Sequence, residues 1–217
     1  LRDGLRRAGF RFLLSRSLSM TTSASPSPAL AVATVPAAAD AIIAAAGLIL
    51  PQLERGVAID AASLRSAMES AFGGSDAEGR WDWKTAYDAC EAATVLFLRK
   101  FGLVIRTRAG SPAAELSMLG KIAALLPTHT RRSEESQALQ QFSTPIELAF
   151  AAATAAAITP ADVVLEPSAG TGLLAIFAEL AGSRLALNEL VETRAALLGQ
   201  LFPGAATTCY DAAHIHD

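Results

Sequence analysis

At 217 residues and 22.5 kDa the chain has room for one ordinary domain or two small ones, and length alone does not exclude a fragment. The hydrophobic fraction is 52% but aromatics are only 6%; much of the apolar content is alanine, which buries little area per residue, so the composition reads as a helix-rich soluble protein. A net charge of -3 and a pI near 5.7 exclude a generally basic, nucleic-acid-coating surface, so any nucleic-acid contact must be local. Cys90 and Cys209 lie far apart and outside any ligand-like cluster, which points away from a disulfide scaffold or zinc module and toward a reducing, cytoplasmic setting.

Residues 1–19 carry five arginines against a lone Asp3, a pattern that resembles a transit peptide. The Ser/Pro-rich text from Met20 reads better as the disordered start, with residues 1–19 as upstream sequence; the remainder then has a net charge of -7. Residues 1–36 are thus expected to be a disordered or non-native segment. The Ala-rich stretches Ala29–Leu50 and Leu148–Ile158 are not expected to span a membrane, because Pro36 and Asp40 interrupt the first and the second is too short.

Residues 37–127 are expected to form a small helical domain. A helix over Ala37–Leu50 should break or kink at Pro51, and Asp60 is placed to cap a second helix that runs to Phe72 before Gly73-Gly74. Asp82 should cap a third helix with Tyr87, Cys90, Ala93, Leu96 and Phe97 at helical spacing, followed by Gly102. Pro112 opens a fourth, with Leu116, Leu119, Ile122 and Leu126 along one face, stopped by Pro127. Trp81 and Trp83 read as core or interface anchors rather than base-stacking residues. A polar bridge over 128–137 follows, in which Arg131 and Arg132 read as a solvated helix start. His214 and His216 have a spacing that some metal sites use, but no third ligand lies nearby, so no metal is expected.

Residues 128–217 are expected to form a second, cofactor-binding domain, and the chemistry lies in residues 141–217. Asp162–Glu166 is a short β-branched run entering Pro167-Ser168-Ala169-Gly170-Thr171-Gly172, and a helix over Leu173–Leu180 follows. A strand over Arg184–Asn188 with Glu189 at its tip, a helix over Val191–Phe202 and a strand over Ala206–Tyr210 reaching Asp211 complete a β-α-β-α-β order. The expected class is α/β, the first half of a doubly wound sheet with its ligand at the carboxyl ends of the strands. Glycines allow close backbone approach, and an acid ending the second strand suits ribose hydroxyls. Gly170-Thr171-Gly172-Leu173-Leu174-Ala175 also fits a dinucleotide fingerprint, so NAD-dependent oxidoreduction is an alternative. Charge favours a different ligand, since Glu166 would repel a pyrophosphate and attract the ammonium of S-adenosylmethionine.

The run Leu165-Glu166-Pro167-Ser168-Ala169-Gly170-Thr171-Gly172 resembles the cofactor loop of amino-group DNA methyltransferases, particularly N6-adenine enzymes, and Gln141-Phe142-Ser143-Thr144-Pro145 resembles the segment that precedes it and closes over the methionine end. The wider text RWDWKTAYDACEAA, LPTHTRRSEESQALQQFSTP and LEPSAGTGLLAIFAELAG resembles the N-terminal part of bacterial strawberry notch-like methylase/helicase proteins. The resemblance implies a Rossmann-like methyltransferase domain binding S-adenosylmethionine through Phe142, Thr144, Pro145, Glu166, Pro167, Ser168, Gly170, Thr171, Gly172, Glu189 and Asp211. Within that set Glu166 would face the methionine amine, Glu189 the ribose and Asp211 the adenine amino group. It also implies a longer parent, with DNA as substrate, no membrane partner, and a missing methyltransferase half and superfamily 2 helicase region. The chain departs from the family in holding no Asn/Asp-Pro-Pro-aromatic segment and no phosphate-binding G-x-x-x-x-G-K-[ST] loop, so no catalytic residue is assigned. The alternative is a non-catalytic S-adenosylmethionine- or DNA-binding module serving a helicase.

Overall fold

The computed structural model describes residues 34–127 and 143–214. The polar bridge at 128–137, Phe142, His216 and the expected disordered start up to residue 33 lie outside the described residues.

Helix α1 spans Val35–Glu54 without interruption. Pro36 falls in the first turn, where a missing N–H costs nothing, and Pro51 falls within the last turn. The expected break at Pro51 and interruption by Pro36 and Asp40 are therefore corrected: this helix is long and apolar enough to cross a membrane by length and composition. Its stripe of Ala39, Ile42, Ala45, Ala46, Ile49 and Leu53 is buried within the protein. Helix α2 (Ala61–Phe72) starts where the Asp60 carboxylate accepts the Ser63 N–H at 2.7 Å.

Helix α3 (Trp83–Ala109) is capped in the same way, with Asp82 accepting the Thr85 N–H at 2.7 Å. It runs straight through Gly102, the expected terminator, and stops at Gly110 in the left-handed conformation (φ 66°). Gly102 is a contact glycine: a Cβ there would lie 2.5 Å from Leu180 Cδ1, so its bareness lets another helix approach. Trp81 and Trp83 meet edge to face at 5.7 Å and donate their indole N–H groups to the Gly74 carbonyl and the Asp76 carboxylate, building a structural corner. Helix α4 (Pro112–Ala123) is capped by Ser111, and α5 covers Ile146–Ala155.

The remaining elements are β1 (Val163–Glu166), α6 (Ala175–Leu180), β2 (Arg184–Asn188), α7 (Glu192–Leu201) and β3 (Ala206–Thr208). The strands form a parallel sheet in the order β1-β2-β3, with Val163 beside Arg184 and Ala186 beside Ala206. The described residues thus form a mixed, mainly helical α/β protein with a small parallel sheet. β3 stops two residues short of expectation because the Tyr210 N–H bonds the Asn188 side chain instead of continuing the ladder.

Helices α6 and α7 pack on β2 and β3, and α3 and α1 pack in turn on them. Ile42 and Leu98 belong to the same buried cluster as Ile176, Leu187 and Leu198. All described residues fall in one compact unit, so the boundary expected between 127 and 128 does not divide two cores. On the opposite face of the sheet Val163 and Leu165, in register with Arg184 and Ala186, are 57% and 68% exposed among the described residues.

Candidate functional site

The carboxyl ends of the three strands converge on one short stretch of backbone. β1 ends at Glu166 and enters the loop Pro167–Gly172, where Gly170 (φ 57°) and Gly172 (φ 89°) both occupy the left-handed region that glycine tolerates. Their roles differ. A Cβ on Gly170 would meet nothing within 4 Å, leaving that side of the loop open to a ligand. A Cβ on Gly172 would strike the Phe202 ring, lying 2.7 Å from its Cζ, so Gly172 serves close packing of the loop on α7.

Asn188, the only asparagine in the chain, ties the strand ends together. Its amide donates to the Pro167 carbonyl at 3.0 Å and the Tyr210 carbonyl at 2.9 Å, while its oxygen accepts from the Tyr210 N–H and the Thr208 hydroxyl. The side chain is buried, and its donors and acceptor are all engaged. The Asn188 carbonyl also accepts the Ala169 N–H at 2.8 Å. One residue thereby ties the end of β2 to the loops after β1 and β3.

Glu189 follows at the tip of β2 and is buried. Its carboxylate accepts the Gly170 N–H at 2.8 Å and the Val191 N–H at 3.1 Å, clamping the glycine loop to the start of α7. Glu166 is half-buried, and that burial raises its pKa above the usual carboxylate value. No hydrogen bond or ion pair reaches it among the described residues. Asp211 stands at the same end of the sheet but faces water; its carboxylate caps the following turn through the Ala213 N–H and the His214 ring, which holds its pKa low. Pro167 and Ser168 are exposed on the loop, while Thr144 and Pro145 are exposed at the entry to α5.

The residues that sequence reasoning missed come from α3. Thr171 is buried, and its hydroxyl donates to Glu91 Oε2 at 2.6 Å. Glu91 is also bonded by the Ser143 side chain, so one carboxyl joins the glycine loop to the segment before α5. One turn earlier, Asp88 accepts two bonds from Arg194 of α7, at 2.6 and 3.2 Å, with both side chains buried. Burial, and then the charge of Asp88, push the Glu91 carboxyl up to about 7. The available signal was Asp88 and Glu91 in an alanine-rich stretch, AYDACEAAT, which has too little polar surface to form a solvated face.

Among the described residues no group of three or more His, Cys, Asp or Glu is arranged to hold a metal ion. A cleft of about 510 Å³ lies away from the glycine loop, between Arg106, Glu115, Phe150, Ile158 and Phe177. Comparison with protein-family models, with curated proteins and with solved structures returned no match to this chain.

Proposed function

We propose that these residues are the S-adenosylmethionine-binding half of an amino-group DNA methyltransferase-like domain, in a protein of the methylase/helicase type. The observation that carries the reading is Glu166: a half-buried acid, without a protein partner among the described residues, at the mouth of a strand–glycine loop–helix unit. An ammonium group would supply its missing counter-charge, whereas the pyrophosphate of NAD would add a repulsion. Gly170 offers open space for close approach, and Glu189 sits at the second strand tip, where it would share its carboxylate between the loop and a ribose. Asp211 at the third tip suits an adenine amino group.

The exposure of Val163 and Leu165 among the described residues supports a domain with further elements, because parallel sheets are normally covered on both sides. In a complete domain of this type, DNA would present an adenine amino group to the sulfonium methyl of the cofactor. No residue described here is assigned to that transfer.

Titration calorimetry with S-adenosylmethionine and with NAD tests the reading. Binding of the first and not the second is expected, and Gly170→Val should weaken it more than about tenfold, or about 1.4 kcal/mol. Glu166→Gln should weaken S-adenosylmethionine more than adenosine. Equal affinity of wild type and Gly170→Val, or preference for NAD, would overturn the assignment.

A further inference from the structure

We propose that Glu91 is a positioning residue for the glycine loop, a clasp through which α3 holds the loop in its binding conformation and releases it as pH rises. Thr171 sits between two glycines in left-handed conformations, the most permissive local backbone available, so the loop needs an anchor from outside. Glu189 and Asn188 hold its earlier residues, and Thr171 itself is anchored by the 2.6 Å bond from its Oγ1 to Glu91, formed between residues 80 positions apart and buried at both ends. Ser143 brings the segment before α5 to the same carboxyl. One side chain of α3 therefore meets two other stretches of chain.

The surroundings give the clasp a sign. On α3 itself, Asp88 repels an ionised Glu91 and Cys90 is its neighbour, with Lys84 3.9 Å from Asp88. From α7, Arg194 attracts Glu91 but is already bonded to Asp88, and it also feels Glu189. The Thr171 and Ser143 hydroxyls, by hydrogen bonding, favour the ionised carboxylate and so work against the burial that disfavours it. Burial is the largest influence, so the closed loop favours a neutral Glu91, whose pKa stands at about 7 against an ordinary 4.5. Opening the loop admits water and lets the carboxyl ionise at lower pH, so the closed loop is favoured at low pH and loses that advantage as pH rises through about 7. Glu91→Gln keeps a neutral acceptor for Thr171 at every pH; Glu91→Leu removes it.

The inference rests on the cofactor reading for its ligand but not for its geometry, and the experiment separates the two. S-adenosylhomocysteine is titrated calorimetrically into the 217-residue chain at pH 6 and pH 8, alongside amide hydrogen exchange at residues 170–172 corrected for intrinsic rate. Relative to Glu91→Gln, the wild type should lose roughly threefold or more in affinity between the two pH values. This comparison cancels the opposing ionisation of Glu166. Glu91→Leu and Thr171→Val should weaken binding at both pH values and speed exchange in the loop. Parallel pH profiles for wild type and Glu91→Gln, or unchanged loop exchange in Thr171→Val, would overturn the clasp. If the wild type binds no S-adenosylhomocysteine, the cofactor reading fails and exchange alone decides: faster exchange in Thr171→Val upholds the clasp, and unchanged exchange removes it. Thr171→Val preserves side-chain shape, so it carries the test even where Glu91→Leu does not fold.

Discussion

Helix α3 and strand β1 invert what their sequences suggest. α3 contains Asp88, Glu91 and Thr94, yet all three are buried, because α1 covers one side of the helix while α6 and α7 cover another. β1 reads Val-Val-Leu-Glu, the text of a central strand, yet none of its residues is fully buried and Leu165 is 68% exposed. Burial is decided by what stands on each side of an element, and polarity records it only when every neighbour is present. The lesson is energetic as well: the polar groups of α3 are in a dry place where pairing is obligatory, whereas the apolar groups of β1 are wet and contribute little.

The sharpest way to break this contrast is to unpair the buried charges. Arg194→Met leaves Asp88 without its doubly bonded partner and should cost about 3–5 kcal/mol of unfolding free energy, measured by urea denaturation. The double variant Asp88→Leu/Arg194→Met should recover most of that loss, because it removes the stranded charge. Leu165→Thr on the exposed face should stay within about 0.5 kcal/mol of wild type. A large loss there would mean that the face is covered in solution.

The two loop glycines give the next largest effect. Gly172→Ala combines backbone strain with a collision against Phe202 and should cost about 2–4 kcal/mol in the same assay, while Gly170→Ala, which meets only strain, should cost about 1–2 kcal/mol. Equal losses would show that the loop does not pack on α7 as described.

A smaller effect follows from Glu91. Its folded pKa of about 7 lies above the ordinary 4.5, so the stabilising contribution of the neutral carboxyl is fully present below the lower value and disappears as pH rises through the higher one. Urea midpoints should fall between pH 5 and pH 8 in the wild type and fall less in Glu91→Gln. A further small change concerns Thr207, whose hydroxyl is buried without a hydrogen-bond partner among the described residues. Thr207→Val should stabilise by about 1 kcal/mol, read from the same midpoints.

Much of the local structure was legible. Asp60 and Asp82 cap helices through bonds to the third residue onward, Pro112 opens α4, and the order of strands and helices after Pro160 follows from the switch between β-branched runs and helical spacing. The errors arose where a local rule met a tertiary contact. Gly102 looks like a helix stop, but Leu180 fills the space beside it and α3 continues. Pro51 looks like a break, but a helix already started and packed along its Ala39–Leu53 stripe carries one proline in its final turn.

By itself, then, the sequence determined where the first two strands end, which glycines bend the loop and which acids follow the strands, because those features depend on backbone stereochemistry and neighbours a few residues away. Only the tertiary structure decided that Glu91 holds Thr171, that Arg194 answers Asp88, that Asn188 ties the loops after β1 and β3 to β2 and that Gly172 packs on Phe202. Those contacts join residues tens of positions apart, and the packing of α3 and α7 around the loop brings them within bonding distance.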